Sequence, residues 1–157
     1  MNKPFDRHKL ELAQHLNAML IEYWHDVDTN EGRNAASYYT EDAVFEGSRS
    51  TYRGRDQIAA FYQWRVDRGV RRAAHTVSNF RIEIVSATEV RCSWYLMLYA
   101  ADGEGILPTH PPILVALITD ECVLERDGQW RYRFRKFTPW FQGGAATTNP
   151  DEKDLKA

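Results

Sequence analysis

The sequence predicts an α+β domain in which three N-terminal helices pack on the concave face of a strongly bent antiparallel sheet. Three observations lead there. Apolar residues recur at helical spacing up to about residue 69. Beyond it, four strand-like runs follow at about 71–85, 89–101, 112–126 and 129–141. Helices segregated from a later strand meander indicate α+β rather than α/β.

The first helix is expected from Leu10 to about Asp28, because Ala13, Leu16, Leu20, Trp24 and Val27 form one apolar stripe. Thr29-Asn30-Glu31-Gly32 interrupts it, and Thr29 or Asn30 is placed to cap a second, short helix from about Glu31 to Tyr39. A short strand is expected at Ala43-Val44-Phe45-Glu46, then a polar loop from Gly47 to Thr51. Arg53-Gly54-Arg55-Asp56 opens the third helix, whose apolar face is Ile58, Phe61, Tyr62 and Val66 and which ends near Gly69. Turn signals separate the strands: Ser86-Ala87-Thr88, the Gly- and Pro-containing stretch from Asp102 to Pro112, and the hairpin pair Asp127-Gly128. One domain over residues 1–142 accounts for all of this, with a flexible polar tail at 143–157.

The net charge of −2 carries no basic excess for nucleic acid, and no apolar run reaches transmembrane length. Cys92 and Cys122 lack CxxC spacing and read as reduced core thiols of a cytoplasmic protein, with no metal site. No Gly-rich phosphate loop, HExxH or nucleophile elbow is present, so no cofactor is expected. Five Trp, eight Tyr and seven Phe are enough to wall an enclosed pocket for a small apolar or aromatic molecule. Tyr23, Trp24, Tyr39, Phe45, Phe61, Tyr95 and Trp140 are the candidate walls.

Three residues are the candidate chemistry. Asp28 lies four residues after Trp24 and shares its helix face, where a carboxylate is costly unless paired. His75 opens the first long strand and suits a general base. Its parity matches Val77, Asn79 and Arg81, whereas Phe80, Ile82 and Ile84 form the apolar face. His75 therefore faces the core only if a bulge near residues 76–79 switches the phase. Arg135 sits on a strand with arginines on one face and aromatics on the other. If the phase slips before Phe137, Arg135 points inward as an anion stabiliser.

Tyr38-Tyr39-Thr40-Glu41-Asp42-Ala43-Val44-Phe45, Tyr52-Arg53-Gly54-Arg55-Asp56-Gln57-Ile58, Ala74-His75-Thr76-Val77-Ser78-Asn79 and Asp127-Gly128-Gln129-Trp130-Arg131 together resemble the SnoaL-like branch of the nuclear-transport-factor-2-like (NTF2-like) superfamily. The resemblance implies a cone-shaped fold. Within it the chain is most similar to the scytalone dehydratase and hexachlorocyclohexane dehydrochlorinase group, in which Asp28 and His75 fall on the segments of the catalytic aspartate and histidine, and Arg135 on that of a pocket arginine. Two departures stand out. Tyr23-Trp24 replaces the region of the dehydrochlorinase lysine, and the dehydratase's second histidine has no counterpart among Trp94, Tyr95 and Tyr99.

The resemblance implies a cofactor-free lyase of dehydratase type acting by His/Asp proton abstraction. The alternatives are an isomerase or cyclase using the same base, or a non-catalytic ligand binder like the small subunit of ring-hydroxylating dioxygenases. It also implies a homo-oligomer, a trimer ahead of a dimer, built on the apolar outer face of the sheet.

Overall fold

The computed structural model describes residues 6–143, so the expected tail beyond Gly143 lies outside the described residues. Helix α1 spans Arg7–Thr29 and begins at Asp6, whose side chain accepts a hydrogen bond from the backbone of His8 at 3.0 Å. Its buried stripe is Leu16, Leu20, Tyr23, Trp24 and Val27, the expected face with Tyr23 added.

The expected helix from Glu31 to Tyr39 does not form. Only a single 3-10 turn, Ala35–Tyr38, occupies that stretch, so the domain has two α-helices rather than three. The cause is local. Glu31 and Gly32 both adopt left-handed backbone, with φ of 58° and 73°. The Asp26 carboxylate also gathers the side chains of Asn30 and Asn34 and the backbone of Asn34, at 2.7–3.0 Å. These bonds compete with a helical ladder. Gly32 is required there, because a Cβ would collide with the Tyr62 ring.

Strand β1 (Tyr39–Glu46) starts earlier than expected, and a three-residue strand β2 (Thr51–Arg53) falls at the junction of the expected loop and third helix. Helix α2 covers Arg55–Asp67. Strands β3 (Arg71–Ile84), β4 (Glu89–Asp102), β5 (Leu114–Leu124) and β6 (Trp130–Gln142) match the four alternating runs. They form one six-stranded curved sheet in the order β2-β1-β6-β5-β4-β3. The sheet is not purely antiparallel, since β1 runs parallel to β6. The helical layer covers the inner face, where Trp94, Leu96 and Leu98 of β4 and Ala116 and Ile118 of β5 are buried.

Two bulges decide which polar side chains point inward. In β3 the register slips between Ser78 and Arg81, with Asn79 at a φ of 55°. His75 and Val77 therefore share the inner face with Ile82 and Ile84 despite opposite parity. In β6 a slip opposite Glu121 and Cys122 places Tyr132 and Arg135 on one face. The outer face is left with a Tyr95–Trp140 edge contact at 5.1 Å and with exposed Tyr99 and Phe141. No helix among the described residues is long and apolar enough to cross a membrane.

Candidate active site

β3 is an edge strand, so some of its backbone N–H groups have no neighbouring strand to bond. At His75 that group donates to Asp28 Oδ2 at 2.8 Å. The last turn of α1 is thereby fixed to the sheet edge. The other carboxylate oxygen, Oδ1, lies 2.5 Å from His75 Nδ1. One carboxylate thus holds both the backbone and the ring of the same histidine.

The ring is further fixed by stacking on Trp24, with centroids 4.0 Å apart and planes 10° apart. With the carboxylate accepting from Nδ1–H, the free lone pair is on Nε2. Burial lowers the proton affinity of His75 below its ordinary 6.5. The hydrogen bond and charge of Asp28 oppose that shift, and the charges of Arg65 and Arg71 add to it. The imidazole is therefore neutral near pH 7 and able to accept a proton.

The pair lies in a cleft of about 570 Å³ between α1 and β3, lined by Ile21, Trp24, His25, Asp28, Arg72 and His75 among others. It is open to solvent, not the enclosed pocket expected from the aromatic content. Of the candidate walls, Trp24 lines it. Tyr23, Tyr39, Phe45 and Phe61 are instead buried in the core, where their rings pack in a chain from Tyr23 to Tyr39, Phe45 and Phe61. Tyr95 and Trp140 meet on the opposite side of the sheet.

Arg135 points inward, fully buried, and is not in the lining of this cleft. Its guanidinium binds Asp120 through Nε–Oδ1 at 2.7 Å and Nη2–Oδ2 at 2.9 Å, and donates to Tyr39 Oη at 3.4 Å. Tyr132 stacks over it at 3.9 Å and Tyr23 at 4.7 Å. Trp94 Nε1 donates to the same Asp120 at 2.8 Å. Burial disfavours the charge, but Asp120 and the surrounding tyrosines outweigh it and hold Arg135 above the ordinary arginine range. The Tyr23 hydroxyl bonds those of Tyr39, at 3.0 Å, and Tyr62, extending this network across the core.

The sequence reading missed Asp120 and Arg72. Asp120 had a signal: it is the single carboxylate on the parity of Leu114, Ala116, Ile118 and Cys122. Arg72 had none, because it lies off the apolar face of β3. Among the described residues no cluster of three or more His, Cys, Asp or Glu could hold a metal ion. Cys92 and Cys122 are free, buried thiols with Sγ atoms 3.8 Å apart.

No curated protein matches the chain. Solved structures do. One, described as a candidate scytalone dehydratase from Novosphingobium aromaticivorans, is 22% identical with a TM-score of 0.73, covering 90% of this chain and 93% of that one. ActVI-ORFA from Streptomyces coelicolor is 18% identical with a TM-score of 0.70, covering 83% and 98%. Aln2 from another Streptomyces species is 17% identical with a TM-score of 0.68, covering 88% and 93%. At such identities these likenesses bear on the fold alone. The family model for the SnoaL-like domain matches residues 9–136, most of the chain, and with the two helices laid on a curved six-stranded sheet this places the protein in the SnoaL-like family of the NTF2-like fold.

Proposed function

We propose that the protein is a cofactor-free lyase that removes a carbon-bound proton from a small apolar or aromatic molecule, with His75 as base and Asp28 as the group that orients it. The observation that carries this is the grip of one carboxylate on both the N–H and the Nδ1 of His75. That grip fixes the tautomer, leaves Nε2 as acceptor and stabilises the imidazolium formed. In an elimination Nε2 takes the C–H proton. The C–H electron pair becomes the new C=C bond, and the leaving group departs with its own bonding pair. Relatives in the SnoaL-like family, often cyclases or dehydratases, support this class of chemistry. Arg135 serves the reading as the scaffold behind Trp24, its guanidinium 5.7 Å from that ring.

An isomerase or cyclase would share the first step and return the proton elsewhere, leaving the product mass unchanged. A non-catalytic binder would give His75 no acid–base task, and its contact with Asp28 favours the base over that reading. The proposal includes a cytoplasmic homo-oligomer, a trimer before a dimer, supported by the free thiols and by exposed Tyr99, Trp140 and Phe141 on the outer sheet face.

The test uses 2-tetralone, a small aromatic ketone with acidic C–H bonds, in deuterated water. The protein should accelerate deuterium uptake, and His75→Gln should lose about 10²–10⁴-fold of that acceleration while the fold survives. Equal exchange by the two proteins sinks the assignment of His75 as base.

A further inference from the structure

The charges around the His75 cleft do not balance. Its carboxylate, Asp28, is engaged at both oxygens by His75. Arg72 lines the same cleft, is exposed, and among the described residues has neither an ion pair nor a side-chain hydrogen bond. Around it, three further arginines converge where α2 hands over to β3. Arg68 takes both oxygens of Asp102, at 2.9 and 3.0 Å. Asp102 sits opposite Arg71 in the β3–β4 register. Arg65 lies over the rings of Phe61 and Tyr62, 6.0 and 5.7 Å from their centroids, with no ion pair among the described residues. Asp67, next in the chain to Arg68, is bound by Gln63 at 2.8 Å. The positive charge of Arg65 and Arg71 is felt at the His75 ring itself.

A second observation points to a missing ligand. The Trp24 indole forms one wall of the cleft and is only 4% exposed, yet its Nε1–H has no acceptor among the described residues. Buried donors are nearly always satisfied, and one left open beside a cleft is a place for a ligand oxygen. An unpaired cation and an unused donor on a cleft that Ile21 also lines describe an amphipathic anion.

We propose that the His75 cleft selects an anionic substrate, a small aromatic acid whose carboxylate pairs with Arg72 at the lip while its ring lies against Trp24 and Ile21. This rests on reading the cleft as the reaction site. The carboxylate is a handle remote from the reacting carbon, so its binding energy helps position that carbon against His75 Nε2. Arginine suits the task, because its planar fork matches a carboxylate and stays charged.

The experiment compares 2-naphthoate with its neutral analogue 2-naphthamide, titrated into the full chain carrying ¹³C-labelled histidine and followed at the His75 ring by NMR. At low salt naphthoate should bind at least about fivefold more tightly, and the preference should shrink as salt rises. Arg72→Gln should bring the two probes to equal affinity, and Arg72→Lys should restore part of the difference. Equal affinities in the unaltered protein, or a preference that survives Arg72→Gln, overturns the proposal. The base assignment fails on a different readout: 2-tetralone is neutral, so its exchange reports on His75 whatever the naphthoate-to-naphthamide ratio shows.

Discussion

Asp120 and Asp28 each grip a nitrogen base, and the two pairs differ in burial and in whether the base gives up its proton. Asp120 and Arg135 are buried to 1% and 0% side-chain exposure, in a box of aromatic rings, with each polar atom of the carboxylate used. Asp28 and His75 sit at a cleft between α1 and the sheet edge, at 18% and 4% exposure. The first base is a guanidinium that stays protonated, held above its ordinary range by its neighbours. The second is an imidazole whose proton affinity its surroundings lower. A pair that cannot change protonation inside a closed core organises packing. A pair whose base is unprotonated at neutrality beside an open cleft is equipped for proton transfer.

The largest effect expected from breaking this contrast is on the closed pair. Asp120→Ala leaves the Arg135 charge with no carboxylate partner in the core and should cost about 3–5 kcal/mol, read as a fall in the denaturation midpoint. Replacing both residues by apolar ones of similar volume, as Asp120→Leu with Arg135→Met, should recover most of that loss. If the single variant is as stable as the parent, Arg135 is not structural and its place in the core needs another account.

The open pair should respond the other way round. Asp28→Asn keeps the shape and can still accept from the His75 backbone, so stability should fall by only about 1 kcal/mol. Its amide would present a donor toward Nδ1, forcing the proton onto Nε2 and removing the free base. Deuterium exchange into 2-tetralone should then fall about a hundredfold or more. Loss of stability on the scale of Asp120→Ala, with exchange unchanged, would reverse the roles assigned to the two pairs.

The contrast was partly legible in the residues. The stripe on α1 fixed the face shared by Trp24 and Asp28, and the parity conflict at His75 required the bulge that Asn79 supplies. Both follow from periodicity, which sequence carries directly. The partner of Arg135 was not found, because pairing Asp120 with it depends on the β5–β6 register, and two bulges in that ladder shift it. The short helix expected after α1 failed for a similar reason. Glu31 and Gly32 read as a plausible helix start, but Asp26 collects Asn30 and Asn34 from outside that window, and Tyr62 on α2 leaves room only for glycine at position 32. The openness of the cleft was invisible, since aromatic content does not tell which rings pack on each other and which line a surface.

The smallest expected effect tests the electrostatics of the open pair. The folded chain binds a proton at His75 less readily than the ordinary 6.5 implies, chiefly through burial, with Arg65 and Arg71 adding to it and Asp28 opposing. A base must be unprotonated to work, so exchange activity should persist below pH 6.5 and fall only as pH drops through the lower, folded value. Stability follows the same sign. Between the two values the unfolded chain binds the proton first, so the site's contribution is full above 6.5 and declines as pH falls toward the folded value. Arg65→Gln removes one of the cations that disfavour the imidazolium, so both the NMR titration of His75 and the acid limb of the exchange profile should move up toward 6.5. A shift downward would contradict the part given to Arg65, and a parent midpoint above 6.5 would mean that Asp28 rather than burial dominates the ring. His75 would then be an imidazolium near neutrality, closer in kind to the fixed cation Arg135 than to a base.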